Sequence, residues 1–145
     1  MCVYIYIRAM SEYQSKIYDN ITSKVGQIDR HIIRLVLYPH AQEVLHWKTE
    51  VMSFLCDIDK QKNTKKYPKK SFILKALQIK NDMLDALRYQ VEHTETELSP
   101  IDVSNEQILD AVTEYQNWLA TELSTRGVIL PTEAYKVLSK VTGCD

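Results

Sequence analysis

The chain has 145 residues, of which 45% are hydrophobic and 26% charged, with three glycines, four prolines and a net charge of −1. That is the length of one domain, able to bury a core without metal or disulfide staples, and breakers this rare favour helix. The near-zero charge gives no global pull toward nucleic acid or an anionic membrane, and no apolar run reaches the ~18 residues of a membrane span.

The three cysteines, Cys2, Cys56 and Cys144, have no Cys-x-x-Cys spacing. They argue against a disulfide framework and a zinc site, and for a reducing, cytoplasmic setting. Cys2 to Ile7 is too short for a signal peptide and has no basic residue before it. Met10-Ser11-Glu12 looks like a bacterial start. Residues 1–9 are therefore expected to be a non-native start or a short β-prone arm, and residues 10–145 a single helical domain.

Helix one is expected over Met10–Leu37. Met10, Tyr13, Ile17, Ile21, Val25, Ile28, Ile32 and Leu35 form one stripe at helical spacing. Gly26 is its weak point, and Arg30, His31 and Arg34 suit the negative end of the helix dipole. Pro39 ends it, because the residue before a proline avoids the α region. Helix two is expected from Pro39, as a first-turn proline, to Lys60. Its apolar face is Val44, Trp47, Val51, Leu55 and Ile58, and the short connection implies a sharp bend or a tight antiparallel hairpin.

Asp59 to Lys70 reads as a loop with six lysines, one acid and a proline. Helix three is expected over Ser71–Glu95, with two apolar lines: Phe72, Ala76, Ile79, Met83 and Ala86, and Ile73, Leu77, Leu84, Leu87 and Val91. A face this wide calls for more than one neighbour, which predicts a central helix. After the break at Leu98–Asp102, Ser104 and Gln107 occupy the two ends of a capping box, with Val103 and Ile108 as its hydrophobic staple. Helix four then runs to Thr125 with Ile108, Val112, Tyr115, Leu119 and Leu123 on one face, and Gly127 is its expected cap. A short helix over Pro131–Val141, followed by Gly143, completes an all-α antiparallel bundle of four main helices plus a short C-terminal one.

Charge is unevenly distributed. Asp59–Lys80 holds eight lysines and one acid, whereas Asn81–Leu123 holds ten acids and one arginine, Arg88. The two poles can attract each other within the fold or between subunits; a solvated loop beside an acidic helix face is the plainer reading. Lys60, Lys62, Lys65, Lys66, Lys69 and Lys70 are the candidate interaction residues. They offer phosphate contacts, and Tyr67 among them offers a stacking surface for a base. Trp47, Trp118 and the nine tyrosines suit either an interface or a core boundary.

Two patterns bear on chemistry. His40, Glu43 and His46 are spaced three apart, and Glu43-x-x-His46 matches the metal-binding element of di-iron bundles. Those sites need two such elements plus a carboxylate from each of two other helices; the chain has one such element, so no metal or cofactor is expected. Arg88-x(4)-His93 resembles the Arg-x(4–6)-His signature of HEPN domains, helical proteins that include RNA-cleaving toxins. That resemblance implies Arg88 stabilising charge on a scissile phosphate and His93 transferring a proton. Helical spacing sets residues five apart about 140° around the axis, which argues against their convergence.

His31-Ile32-Ile33-Arg34, Tyr38-Pro39 and Trp47, with the later Glu106-Gln107-Ile108-Leu109-Asp110, resemble segments of an all-helical bacterial family catalogued as domain of unknown function 29. The resemblance covers about a third of the chain. It implies a helical fold, assigns no activity and carries over no functional residue. The expected role is a non-enzymatic interaction or assembly module of bacterial or phage origin, binding a protein partner or a second copy. The alternatives are a HEPN-like metal-independent ribonuclease and a nucleic-acid contact through Lys60–Lys70.

Overall fold

The computed structural model describes residues 12–60 and 81–144. They form five helices and no strand: α1 (Glu12–Leu37), α2 (Val44–Lys60), α3 (Asn81–Thr94), α4 (Asn105–Thr125) and α5 (Pro131–Thr142). The all-α class is as expected, and the helix contacts are consistent with an antiparallel bundle. Residues 1–11 and 61–80, and with them the expected N-terminal arm, most of the lysine loop and the first part of helix three, lie outside the described residues.

The hub is α1, which packs against each of the other four helices. Its stripe is the reason: Ile21, Val25, Ile28, Ile32 and Leu35 are all buried, and Ile33 and Leu37 widen the apolar face beyond a single seam. Helix three, expected to be central, is described only from Asn81, and over those residues it packs less widely than α1. In α3 only one of the two apolar lines is covered, through Leu84, Leu87 and Val91, while Met83 and Ala86 are exposed. Among the described residues α3 packs chiefly against α1 and α4.

The start of α2 also differs from expectation. Pro39 does not open it; residues 38–43 form two turns and the helix begins at Val44. The Tyr38 N–H still bonds back to the Arg34 carbonyl at 2.8 Å, the Ala41 N–H to the Tyr38 carbonyl at 3.2 Å, and the Val44 N–H to the Ala41 carbonyl at 3.3 Å. Two side chains hold the bend: buried Tyr38 packs on buried Trp47 with ring centroids 6.2 Å apart. The Leu37 carbonyl, orphaned at the helix end, accepts the Ile101 N–H at 2.9 Å.

Local punctuation elsewhere follows the sequence. Ser104 Oγ accepts the Gln107 N–H at 3.2 Å and Gln107 Oε1 accepts the Ser104 N–H at 2.9 Å, a complete capping box for α4. Pro131 occupies the first turn of α5, and Gly143 ends that helix at φ +70°, a conformation that favours glycine. The α4 stripe is buried throughout, and the Tyr115 hydroxyl donates to the Ala134 carbonyl at 3.2 Å, tying α4 to α5. None of the described helices is long and apolar enough to cross a membrane.

Candidate functional site at the junction of α1, α2 and α3

Gln27, His31 and Arg34 are spaced four and three apart, so they share one face of α1. That face looks toward α2 and α3. His31 is buried, and its Nδ1–H donates to the Gln27 carbonyl at 2.8 Å while its Nε2 meets Glu50 Oε2 on α2. The other carboxylate oxygen, Glu50 Oε1, takes Nε2 of His46 one turn earlier on α2, at 2.8 Å. One carboxylate thus holds two imidazoles, one inside the fold and one exposed to solvent. Phe54 meets the His31 ring edge-on, with centroids 5.3 Å apart.

Arg34 extends this line to the end of α3. Its Nε donates to Glu95 Oε1 at 3.0 Å, and its Nη1 stands 3.5 Å from His31 Nδ1. Arg30 adds a second tie to α3, with Nε donating to Gln90 Oε1 at 3.2 Å. The His31 hydrogen bond holds the Glu50 carboxyl below its ordinary value, helped by the charges of His31, His46 and Arg34 against partial desolvation. Tyr38 lies beside the same network. Burial and the Glu92 and Glu95 carboxylates push its phenol up, while Arg34 and Arg88 act the other way.

A carboxylate that orients an imidazole is the arrangement general acid–base catalysis uses. Here, however, neither His31 nor His46 is hydrogen-bonded to a nucleophile among the described residues; each is engaged by Glu50.

The residues singled out from the sequence fall at separate places. Arg88 bonds Glu92 Oε1 at 3.1 Å, the Val103 carbonyl at 3.0 Å and Asn105 Oδ1 at 2.6 Å, stitching α3 to the start of α4. His93 is exposed, donates Nδ1–H to the Tyr89 carbonyl at 2.8 Å and stacks on the Tyr89 ring with centroids 3.7 Å apart. No hydrogen bond joins Arg88 to His93 among the described residues. His40 and Glu43 are exposed in the turns before α2, so only His46 of that trio is helical. The helical spacing assumed for the trio is absent over residues 40–43, because the chain runs in turns there and α2 opens at Val44. Among the described residues no group of three or more His, Cys, Asp and Glu side chains is arranged to hold a metal ion. Lys60 is the exposed last residue of α2, and Lys62, Lys65, Lys66, Lys69 and Lys70 lie outside the described residues.

Sequence reasoning missed Glu50 and the inward role of His31. The His46–Glu50 spacing of four was a readable signal; the pairing with His31 had none. It also missed two buried polar contacts. Asp29 on α1 receives Gln116 Nε2 of α4 on both carboxylate oxygens, each at 3.1 Å, and burial pushes its pKa up to about 7. Buried Lys48 on α2 donates to Ser139 Oγ at 3.1 Å and to the Cys144 carbonyl, with the Tyr135 ring 5.1 Å away. Comparison with protein-family models, with curated proteins and with solved structures finds no match.

Proposed function

We propose that this chain is a helical interaction or assembly module that acts without catalysis. The observation that carries the reading is how its chemically capable groups are spent. Arg88 joins α3 to α4, Arg34 joins α1 to α3, and Glu50 joins His31 of α1 to His46 of α2. Groups committed to ties between helices are not free to converge on a substrate.

The outer surface supports the same reading. Glu106, Asp110 and Glu114 lie along α4 at spacings of four, exposed and without an ion pair among the described residues. They complement the lysine-rich stretch of a second copy or of a basic protein partner.

The test sets the module against the ribonuclease. Purified protein incubated with single-stranded RNA without added metal should leave the RNA intact. Light scattering at low salt should give a mass above 16.9 kDa that falls as salt is raised. RNA cleavage that is lost in His93→Ala, with the fold retained, would replace this proposal with the HEPN-like reading. A monomer at every salt concentration would remove self-assembly from it.

A further inference from the structure

Among the described residues the buried acidic and basic side chains are Asp29, His31, Lys48 and Glu122. Three of them are spoken for. His31 meets Glu50, Lys48 holds Ser139 and Cys144, and Glu122 pairs with Arg126 Nε at 3.4 Å. Asp29 differs, because the donor to both its oxygens is a neutral amide, Gln116 Nε2, at 3.1 Å from each. One helical turn either way from Asp29 stand Val25, Ile32 and Ile33 on α1. One turn either way from Gln116 stand Val112, Leu119 and Ala120 on α4. All six are buried. The polar pair therefore sits in an apolar seam between two helices, where an unpaired charge is costly.

We propose that Asp29 and Gln116 form a proton-dependent latch between α1 and α4, closed while the carboxyl carries a proton and loosened once it is ionised. The two groups define both states. An ionised carboxylate only accepts, so Nε2 serves both oxygens, as in the structure. A protonated carboxyl donates through one oxygen and accepts at the other. The Gln116 amide also offers one donor and one acceptor. Turned half a revolution about its own end, it takes the O–H on Oε1 and gives Nε2–H to the remaining oxygen. Two hydrogen bonds then close with no net charge in the seam. Release of the proton to solvent removes one of them and leaves a negative charge among apolar neighbours. Parting the helices at that point admits water to the charge, a local opening rather than unfolding of the whole chain.

Few charges reach the latch. On α1 the acting charge is Arg30, next in the chain, whose Nε is bonded to Gln90 of α3. On α4, Glu122 lies further along the helix and is engaged by Arg126. Among the described residues no charged group of α2, α3, α4 or α5 forms a hydrogen bond or ion pair with Asp29. Burial pushes the carboxyl up to about 7, against the Gln116 hydrogen bond and the Arg30 charge. The folded chain thus keeps a proton that the unfolded chain has released. The contribution of the latch falls as pH rises from the ordinary value of 3.8 through about 7. Between pH 6 and pH 8 that amounts to a rise in the opening constant on the order of tenfold. Because α4 also packs on α3 and α5, the latch governs how firmly that helix is seated on the hub.

The experiment follows the full chain by NMR from pH 5 to pH 9. The Asp29 carboxyl 13C signal should titrate in one step at about 7, and the Gln116 side-chain amide should follow with the same midpoint. Backbone amide protection, corrected for the intrinsic effect of pH on exchange, should fall on the order of tenfold from pH 6 to pH 8 where α1 and α4 face each other. Asp29→Asn presents an N–H in place of the carboxyl O–H at every pH, so it should show no such fall. A carboxyl already ionised at pH 5 overturns the proposal, as does a Gln116 amide that does not follow it. Protection that does not change with pH, a fall equally large in α2, or the same fall in Asp29→Asn also overturns it. Should Asp29→Asn fail to fold, the two side-chain titrations and the protection of the unaltered chain decide the matter.

Discussion

Replacing Asp29 with asparagine removes a charge from the interface of α1 and α4 while keeping the side chain's shape. Asp29 is 5% exposed, and both its oxygens depend on a single donor, Gln116 Nε2. Desolvation raises its pKa from 3.8 to about 7 against the Gln116 hydrogen bond and the nearby Arg30 charge. Between those two values the folded chain binds the proton more tightly than the unfolded chain, so the contribution of Asp29 to stability falls as pH rises across that window. Once the group is ionised in both states, the full gap corresponds to about 4 kcal/mol, an upper bound because a buried charge relaxes its surroundings. Asparagine avoids that cost and still accepts from Gln116, but its new N–H2 donors must find acceptors, at a penalty of about 1–3 kcal/mol if they fail. The expected net effect at pH 8 is a gain of about 1–3 kcal/mol, shrinking toward zero or reversing by pH 4. Urea unfolding followed by far-UV circular dichroism at both pH values measures it. An Asp29→Asn chain destabilised equally at pH 4 and pH 8 would refute the reasoning, since it would mean that ionising the carboxylate carries no cost in the folded state.

Two further outcomes follow from single side chains. Lys48→Met keeps a long apolar stem but removes the Lys48 hydrogen bonds to the Ser139 hydroxyl and the Cys144 carbonyl. It should cost about 1–3 kcal/mol and speed amide hydrogen exchange across Ala134–Thr142 first; unchanged exchange there would mean α5 is held by packing alone. Among the described residues a Cβ on Gly26 would meet only Arg30 Nη1, at 3.7 Å, so Gly26→Ala should stabilise α1 by about 1 kcal/mol and raise Tm by about 3 °C. A lower Tm would show that the helix needs to bend at that point.

Of the expectations drawn from the residues, those resting on neighbours along the chain hold over the described residues, with one exception. The α1 and α4 stripes, the Ser104 capping box, the first-turn Pro131 and the Gly143 terminator all involve residues within a turn or two of each other. Helical period and capping chemistry are local properties, so they can be read without knowing what packs against what. The start of α2 is a local expectation that fails. Pro39 is compatible with a first turn, but Tyr38 is drawn onto Trp47 and the Leu37 carbonyl onto Ile101, and those contacts hold the chain in turns until Val44.

The candidate site belongs to the other category. Its ties join residues far apart in sequence: His31 to Glu50 across 19 positions, Arg34 to Glu95 across 61, Asp29 to Gln116 across 87 and Lys48 to Cys144 across 96. Read along the helix, His31 and Arg34 are cations near a C-terminus, a placement the dipole explains by itself. Only the packing of α2 and α3 against that face turns one into a buried imidazole between two acceptors and the other into a bridge. Periodicity says which face of a helix is apolar; it does not say which polar side chain on a second helix will meet its edge, because that depends on the angle and register at which the two apolar faces interdigitate. The class of this fold is therefore a property of the sequence pattern, and its polar junction a property of how the helices dock.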